Sequence, residues 1–200
     1  MTAIMPRTAL FVIDIQKELA DDPQTEIPHA ARIRDAGDRI LDAARNLASS
    51  VPQGKQPALI VFVQHEERPE QGTLANGSEP WKLVFNPREG AKDEILVAKI
   101  TRDTFESNPH LAEKLKEQGI DGIVAFGIQS ECCVQETCKG ALAAGFGVTI
   151  LRGAHSTYDT KGKSAVDIER SVEEMLQTRG AKVVPWEDAV ARWQGAGVVF

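Results

Sequence analysis

A chain of 200 residues that is 42% hydrophobic can bury the core of one α/β domain spanning 1–200, and its net charge of -6 offers no basic field for holding nucleic acid. No apolar run approaches the roughly 20 residues needed to cross a bilayer, so no membrane partner is expected. Three cysteines are an odd count with no disulfide framework, and no signal-peptide core precedes the first strand, which together predict a cytoplasmic protein.

The apolar run Thr8–Ile13 reads as a strand buried on both faces, with Asp14 at its carboxyl end. A helix follows with Ile33, Ile40, Leu41, Ala44 and Leu47 on one face, closed by Pro52, Gly54 and Pro57. The second strand is Ala58–Val63, ending before Gln64 and His65. From Glu66 to Gly90, Gly and Pro recur among isolated apolar residues, the mark of a functional loop or lid. Strand Ile95–Ala98 ends at Lys99, and Asn108 and Pro109 open a helix that runs to Lys116. Beyond them the spacing predicts strand Ile123–Phe126, a helix capped by Ser130, strand Val148–Leu151 and a loop from Arg152 to Gly162. A helix carrying Ala165, Ile168, Val172, Met175 and Leu176, strand Ala181–Val184 and a short helix Pro185–Trp193 complete the pattern, and Gly195–Phe200 is left unassigned.

Alternation of strand and helix predicts a doubly wound, mainly parallel six-stranded sheet of order 3-2-1-4-5-6, with helices on both faces in a Rossmann-like three-layer sandwich. Ligands bind such sheets beyond the strand carboxyl ends, where the strand order reverses. That order brings Asp14, Lys99 and Cys133 together. Cys132 and Cys133 fall in the first turn after Ser130, where free N–H groups and the helix dipole favour a thiolate. Cys138 faces the apolar stripe of Val134, Ala141 and Leu142 and reads as core. Position alone leaves Cys132 and Cys133 open between packed and reactive thiols. A carboxylate to take the thiol proton and a lysine to offset its charge suit attack on a carbonyl carbon, and water could then release the acid.

The blocks FVIDIQ (11–16), VFVQHE (61–66), VAKITRDTF (97–105) and GIQSECCVQETCKGALAAGFGV (127–148) resemble the isochorismatase-like hydrolase superfamily, the cysteine hydrolases that include nicotinamidases and N-carbamoylsarcosine amidohydrolase. The resemblance implies Cys133, the cysteine before Val134, as nucleophile, Asp14 as acid/base and Lys99 as the third member of a triad. It also implies a cis peptide between Ile128 and Gln129, an oxyanion hole from the amides of Gln129 and Cys133, and a homo-oligomer, dimer or tetramer. Nicotinamidases bind a metal through an Asp-x-His pair after the second strand and a further histidine. Here Gln64, His65 and Glu66 occupy the position and no histidine follows before His110, so neither metal nor other cofactor is expected. Leu19 stands where many relatives carry an aromatic residue five positions after the Asp.

His65 can cap or line a pocket; Trp81 and Phe105 can be core or pocket; His155 and Tyr158 can touch substrate or belong to a polar turn. The leading expectation is a metal-independent cysteine amidohydrolase that cleaves a C–N bond of a small amide, ureide or carbamoyl compound through a thioester. Vinyl-ether hydrolysis of isochorismate needs no thiol and is the alternative that Cys133 argues against. A noncatalytic small-molecule binding protein on the same fold is the third.

Overall fold

A computed structural model describes residues 7–51 and 56–200. Its strands are β1 (Arg7–Ile13), β2 (Leu59–His65), β3 (Glu94–Lys99), β4 (Ile120–Ile128), β5 (Gly147–Ser156) and β6 (Lys182–Pro185). All neighbours pair in parallel, in the order β3-β2-β1-β4-β5-β6, as the alternating pattern predicts.

Side chains alternate across a strand, so one strand feeds two cores. Leu10 and Val12 of β1 pack with Ile33, Ile40 and Leu41 of helix α2 (Ala30–Ser49) and with Ala189 and Trp193 of α7 (Trp186–Ala196). Ala9, Phe11 and Ile13 pack on the other face with Leu111 and Leu115 of α4 (Leu111–Glu117), Cys138 and Ala141 of α5 (Gln135–Ala143), and Ile168, Val172 and Leu176 of α6 (Ala165–Thr178). Burying each of the large side chains contributes about 1.5–3 kcal/mol. Both faces of the sheet are therefore dry, and polar groups at its centre gather at the strand ends.

Two short helices, α1 (Lys17–Ala20) and α3 (Thr104–Ser107), lie where only loop was expected, because four residues carry too little periodicity to read. Asp103 caps α3 by accepting from the amide of Phe105. Asn108 does not cap α4; its amide donates to the carbonyls of Ala98 and Thr104, and α4 begins at Leu111. Strand β5 continues to Ser156 through a region expected as loop, because a register shift lets Gly127 pair with His155. Gly127, at φ 141°, lies against β1 so closely that a Cβ would collide with the carbonyl of Ile13. In the tail, Val199 is buried and the indole of Trp193 donates to the carbonyl of Phe200. Pro52 and Gly54, expected to help end α2, lie outside the described residues. None of the described helices is long and apolar enough to cross a membrane.

Candidate active site

The carboxyl ends of β1, β2, β3 and β4 meet beneath one cleft of about 400 Å³, lined by Asp14, His65, Arg102, Ile128, Gln129, Cys132, Cys133 and Tyr158 among others. Asp14 follows β1 in a left-handed conformation, φ 49°, the one non-glycine residue with positive φ among the described residues. Aspartate tolerates that geometry better than most residues. Its amide donates to the carbonyl of Val63 and its carbonyl accepts from Gln16, so the turn is held from both sides.

Lys99 ends the edge strand β3, paired in register with His65 of β2. Its side chain is 0% exposed, and its Nζ lies 2.7 Å from Asp14 Oδ2, 3.1 Å from Cys133 Sγ and 3.2 Å from His65 Nδ1. An ammonium only donates, so His65 Nδ1 accepts and the His65 proton sits on Nε2. Burial alone would lower the Lys99 pKa; the Asp14 carboxylate and then Cys133 outweigh it and hold the group above its ordinary value. His65 is pushed below its ordinary value, first by burial and then by the Lys99 charge. Neither Asp14 oxygen has a well-directed hydrogen-bond donor among the described residues, so the carboxylate, ion-paired to Lys99, keeps accepting capacity near the thiol.

The segment carrying the cysteines differs from the expected capped helix. Residues Ser130–Val134 form a π-helical turn before α5, and the Ser130 side chain caps nothing. The carbonyl of Gln129 accepts the amides of Cys132 and Val134, 3.2 and 3.1 Å away, and Cys133 between them is not bound to it. Such wide turns recur at functional sites. The Ile128–Gln129 peptide before it is cis. The thiol also departs from the expected thiolate: burial, then the Asp14 carboxylate, push the Cys133 pKa up, with Lys99 opposing. A charge is harder to desolvate than the dipole can offset, so Cys133 rests as S–H. Cys132 is likewise raised by burial and by Glu131. Cys138, fully enclosed, is pushed up to about 12 by burial and lies in the core as expected.

The remaining candidates divide. His65 and Tyr158 line the cleft, and the Tyr158 hydroxyl donates to the carbonyl of Thr25. Phe105 does not; it stacks on Phe11 and lies tilted against Phe146, each 5.9 Å between centroids, in the core face of the sheet. Trp81 anchors the lid through its backbone, its carbonyl accepting from the amides of Gln16 and Gln64, while its side chain lies outside the cleft lining. His155 is wholly buried behind the cysteine segment, bonded to Ser130 and Glu173. The loop expected as a lid does line the cleft, through Glu67, Gly72, Thr73 and Leu74. Arg102 at the cleft and Gln16, whose side chain clamps both the amide and the carbonyl of His65, were not singled out from sequence. Gln16 was readable in principle: a glutamine three residues past a buried strand's end, at the switch point, has backbone ends to satisfy.

Asp14, His65 and Cys133 offer three ligand atoms within 4.8 Å of one another. They do not fit a divalent metal, because the Lys99 ammonium sits within hydrogen-bond distance of all three and already supplies the positive charge. Gln64, at the position of a metal-ligating Asp, spends its amide on Trp81 instead.

Comparison with known proteins adds to this geometry. Residues 8–188 match the family model described as the isochorismatase domain. A streptothricin hydrolase of Streptomyces noursei is 31% identical over 181 residues, covering 90% of this chain and 66% of that protein. A second from the same organism is 30% identical over 175 residues, with 87% and 58% covered, so the chain spans less than the full length of these curated relatives. A cysteine hydrolase from Pseudomonas syringae pv. phaseolicola 1448A superposes with TM-score 0.79 at 20% identity, over 95% of this chain and 93% of that one. The pyrazinamidase of Pyrococcus horikoshii, in complex with zinc, gives TM-score 0.67 at 23% identity, over 90% and 99%. At these identities the two structures share the fold.

Proposed function

Since the chain belongs to the isochorismatase family, we propose that it is a metal-independent cysteine hydrolase acting on a non-peptide C–N bond of a small amide, ureide or carbamoyl compound. One observation carries the reading: a single lysine ammonium touches a carboxylate and a thiol at the floor of a cleft large enough for a small molecule.

In this mechanism Cys133 Sγ attacks the substrate carbonyl carbon as Asp14 takes the thiol proton, forming an S–C bond and a tetrahedral oxyanion. Amides of Gln129 and Cys133 hold that oxygen. The intermediate collapses, the C–N bond breaks, and Asp14 returns the proton to the leaving nitrogen, leaving a thioester. Water then attacks the thioester carbon, Asp14 takes its proton, and the expelled sulfur recovers a proton from Asp14 as the acid departs. Amide and water are consumed; acid and amine are released. Lys99 offsets the Asp14 charge and lowers the cost of charge on sulfur as the proton leaves. The Cys133 pKa pushed up by burial and Asp14 supports this order, in which proton transfer accompanies attack.

The same reading takes the protein as a cytoplasmic homo-oligomer, a dimer or tetramer, with a small-molecule substrate and neither nucleic acid nor membrane as partner. The test is a hydrolysis screen over streptothricin, pyrazinamide and a set of primary amides, ureides and carbamoyl compounds, with and without prolonged chelation. Turnover that survives chelation and is lost in Cys133→Ala supports it. Turnover of isochorismate with Cys133→Ala as active as the parent would overturn it in favour of vinyl-ether chemistry.

A further inference from the structure

Behind the cysteine segment lies a second set of polar side chains that the proposed mechanism does not use. Ser130 Oγ is 2.8 Å from His155 Nδ1, and His155 Nε2 is 3.3 Å from Glu173 Oε1 on α6. Ser130 and His155 are 0% exposed and Glu173 5%. The outer Glu173 oxygen accepts from Arg152 Nε at 2.8 Å, and burial is outweighed by His155 and Arg152 so that the carboxyl sits below its ordinary pKa. An ionised carboxylate only accepts, which puts a histidine proton on Nε2 and leaves Nδ1 paired with the Ser130 hydroxyl. None of the three lines the cleft.

The direction of the Ser130 hydroxyl has a structural consequence. Serine at the start of a helix ordinarily accepts from the amide two or three residues on. Here the oxygen is turned toward β5, 2.8 Å from His155 Nδ1, and caps nothing. The first turn opens instead to a five-residue reach, with the amide of Val134 on the carbonyl of Gln129 and that of Gln135 on the carbonyl of Ser130. A wider turn shifts Cys133 relative to a regular helix, and in this turn its Sγ stands 3.1 Å from Lys99.

Resting on the reading of Cys133 as nucleophile, we propose that Ser130, His155 and Glu173 are positioning residues: their relay, braced from α6, holds the π-helical turn that aims Cys133 at Lys99 and Asp14. They touch no substrate and act through residues 130–134. Buried polar relays of this kind specify one geometry because every member loses its partner if the turn relaxes.

The test needs no substrate. The rate of iodoacetamide alkylation is measured at each cysteine by peptide mass mapping at pH 7.5, with enclosed Cys138 as reporter of opening. In the parent, Cys133 reacts faster than Cys132 although both rest as thiols, because Asp14 takes the Cys133 proton as the sulfur attacks; equal rates would sink the nucleophile reading itself. With that selectivity present, Ser130→Ala and His155→Leu should lower the Cys133 rate on the order of tenfold while Cys138 stays unlabelled. His155→Asn, whose side-chain amide can replace Nδ1 as partner of the Ser130 hydroxyl, should recover the rate to within about threefold of the parent. An unchanged Cys133 rate in Ser130→Ala overturns the proposal. Should Ser130→Ala expose Cys138, the His155 pair decides, and equal Cys133 rates in His155→Leu and His155→Asn overturn it.

Discussion

Two triplets of polar side chains flank residues 130–134, and they differ in what they have left to give. On the β5 side, Glu173, His155 and Ser130 satisfy one another and do not line the cleft. On the β1 and β3 side, Asp14 and Cys133 border the cleft, and Asp14 keeps an oxygen with no donor among the described residues. Acid, base and nucleophile occur in both by residue type. Access and unspent hydrogen-bonding capacity separate the reactive set from the structural one, which is why residue type alone identifies neither.

The largest expected effect breaks the open triplet. Cys133→Ala should lower hydrolysis of any substrate found by at least about a thousandfold, as loss of a nucleophile does, with the circular-dichroism melt near that of the parent because alanine is tolerated in a helical turn. Retained turnover would remove Cys133 from the mechanism. Lys99→Met should come next. It leaves the buried Asp14 carboxylate without its cation and should cost about 3–5 kcal/mol of stability, read as a fall in the urea midpoint, together with activity. A midpoint that does not move would show that the ion pair at 2.7 Å contributes nothing net.

A smaller effect separates core from cleft. Phe105→Ala should cost about 2 kcal/mol, less than a fully buried phenylalanine because the ring is only partly enclosed, and should leave KM within about twofold. Tyr158→Phe and Leu74→Ala, which change the cleft wall, should move KM more than stability. A rise in KM for Phe105→Ala larger than for Leu74→Ala would restore Phe105 to the substrate pocket.

The sheet was legible because it rests on continuous apolar runs such as Ala9–Ile13 and Leu59–Val63, whose period and length admit one reading. Asp14 and Lys99 were legible for a related reason, each being the first charged residue after such a run, whereas position left Cys132 and Cys133 level and the family resemblance singled out Cys133. What escaped was geometry set by partners distant in sequence. Ser130 looked like a cap because its neighbours are helical; His155, 25 residues on, takes its hydroxyl. Phe105 read as either core or pocket because it follows Lys99 in a loop, and Phe11 and Phe146 draw it into the core. The Cys133 thiol looked poised to ionise from its place near a helix start, and burial beside Asp14 reverses the sign.

That reversal gives the finest test. A preformed thiolate of ordinary pKa would make kcat/KM climb about tenfold per pH unit until roughly pH 8.5. Cys133 is raised by burial and Asp14, so it remains S–H through this range. Lys99, held above its ordinary value against burial by Asp14 and Cys133, remains charged. His65, lowered by burial and Lys99, is already neutral above its usual value of about 6.5. None of the three changes charge between pH 7 and 9, so kcat/KM should vary by less than about twofold there. On the acid side, protonating His65 would place a second cation 3.2 Å from Lys99 and remove the acceptor at Nδ1. Activity should therefore fall below pH 6.5, and His65→Asn, which cannot gain that charge, should shift the acid limb lower. A steady rise to pH 8.5 would instead show that sulfur must ionise before it attacks, and the closed triplet would then hold a thiolate in place, with Asp14 no longer taking the proton during attack.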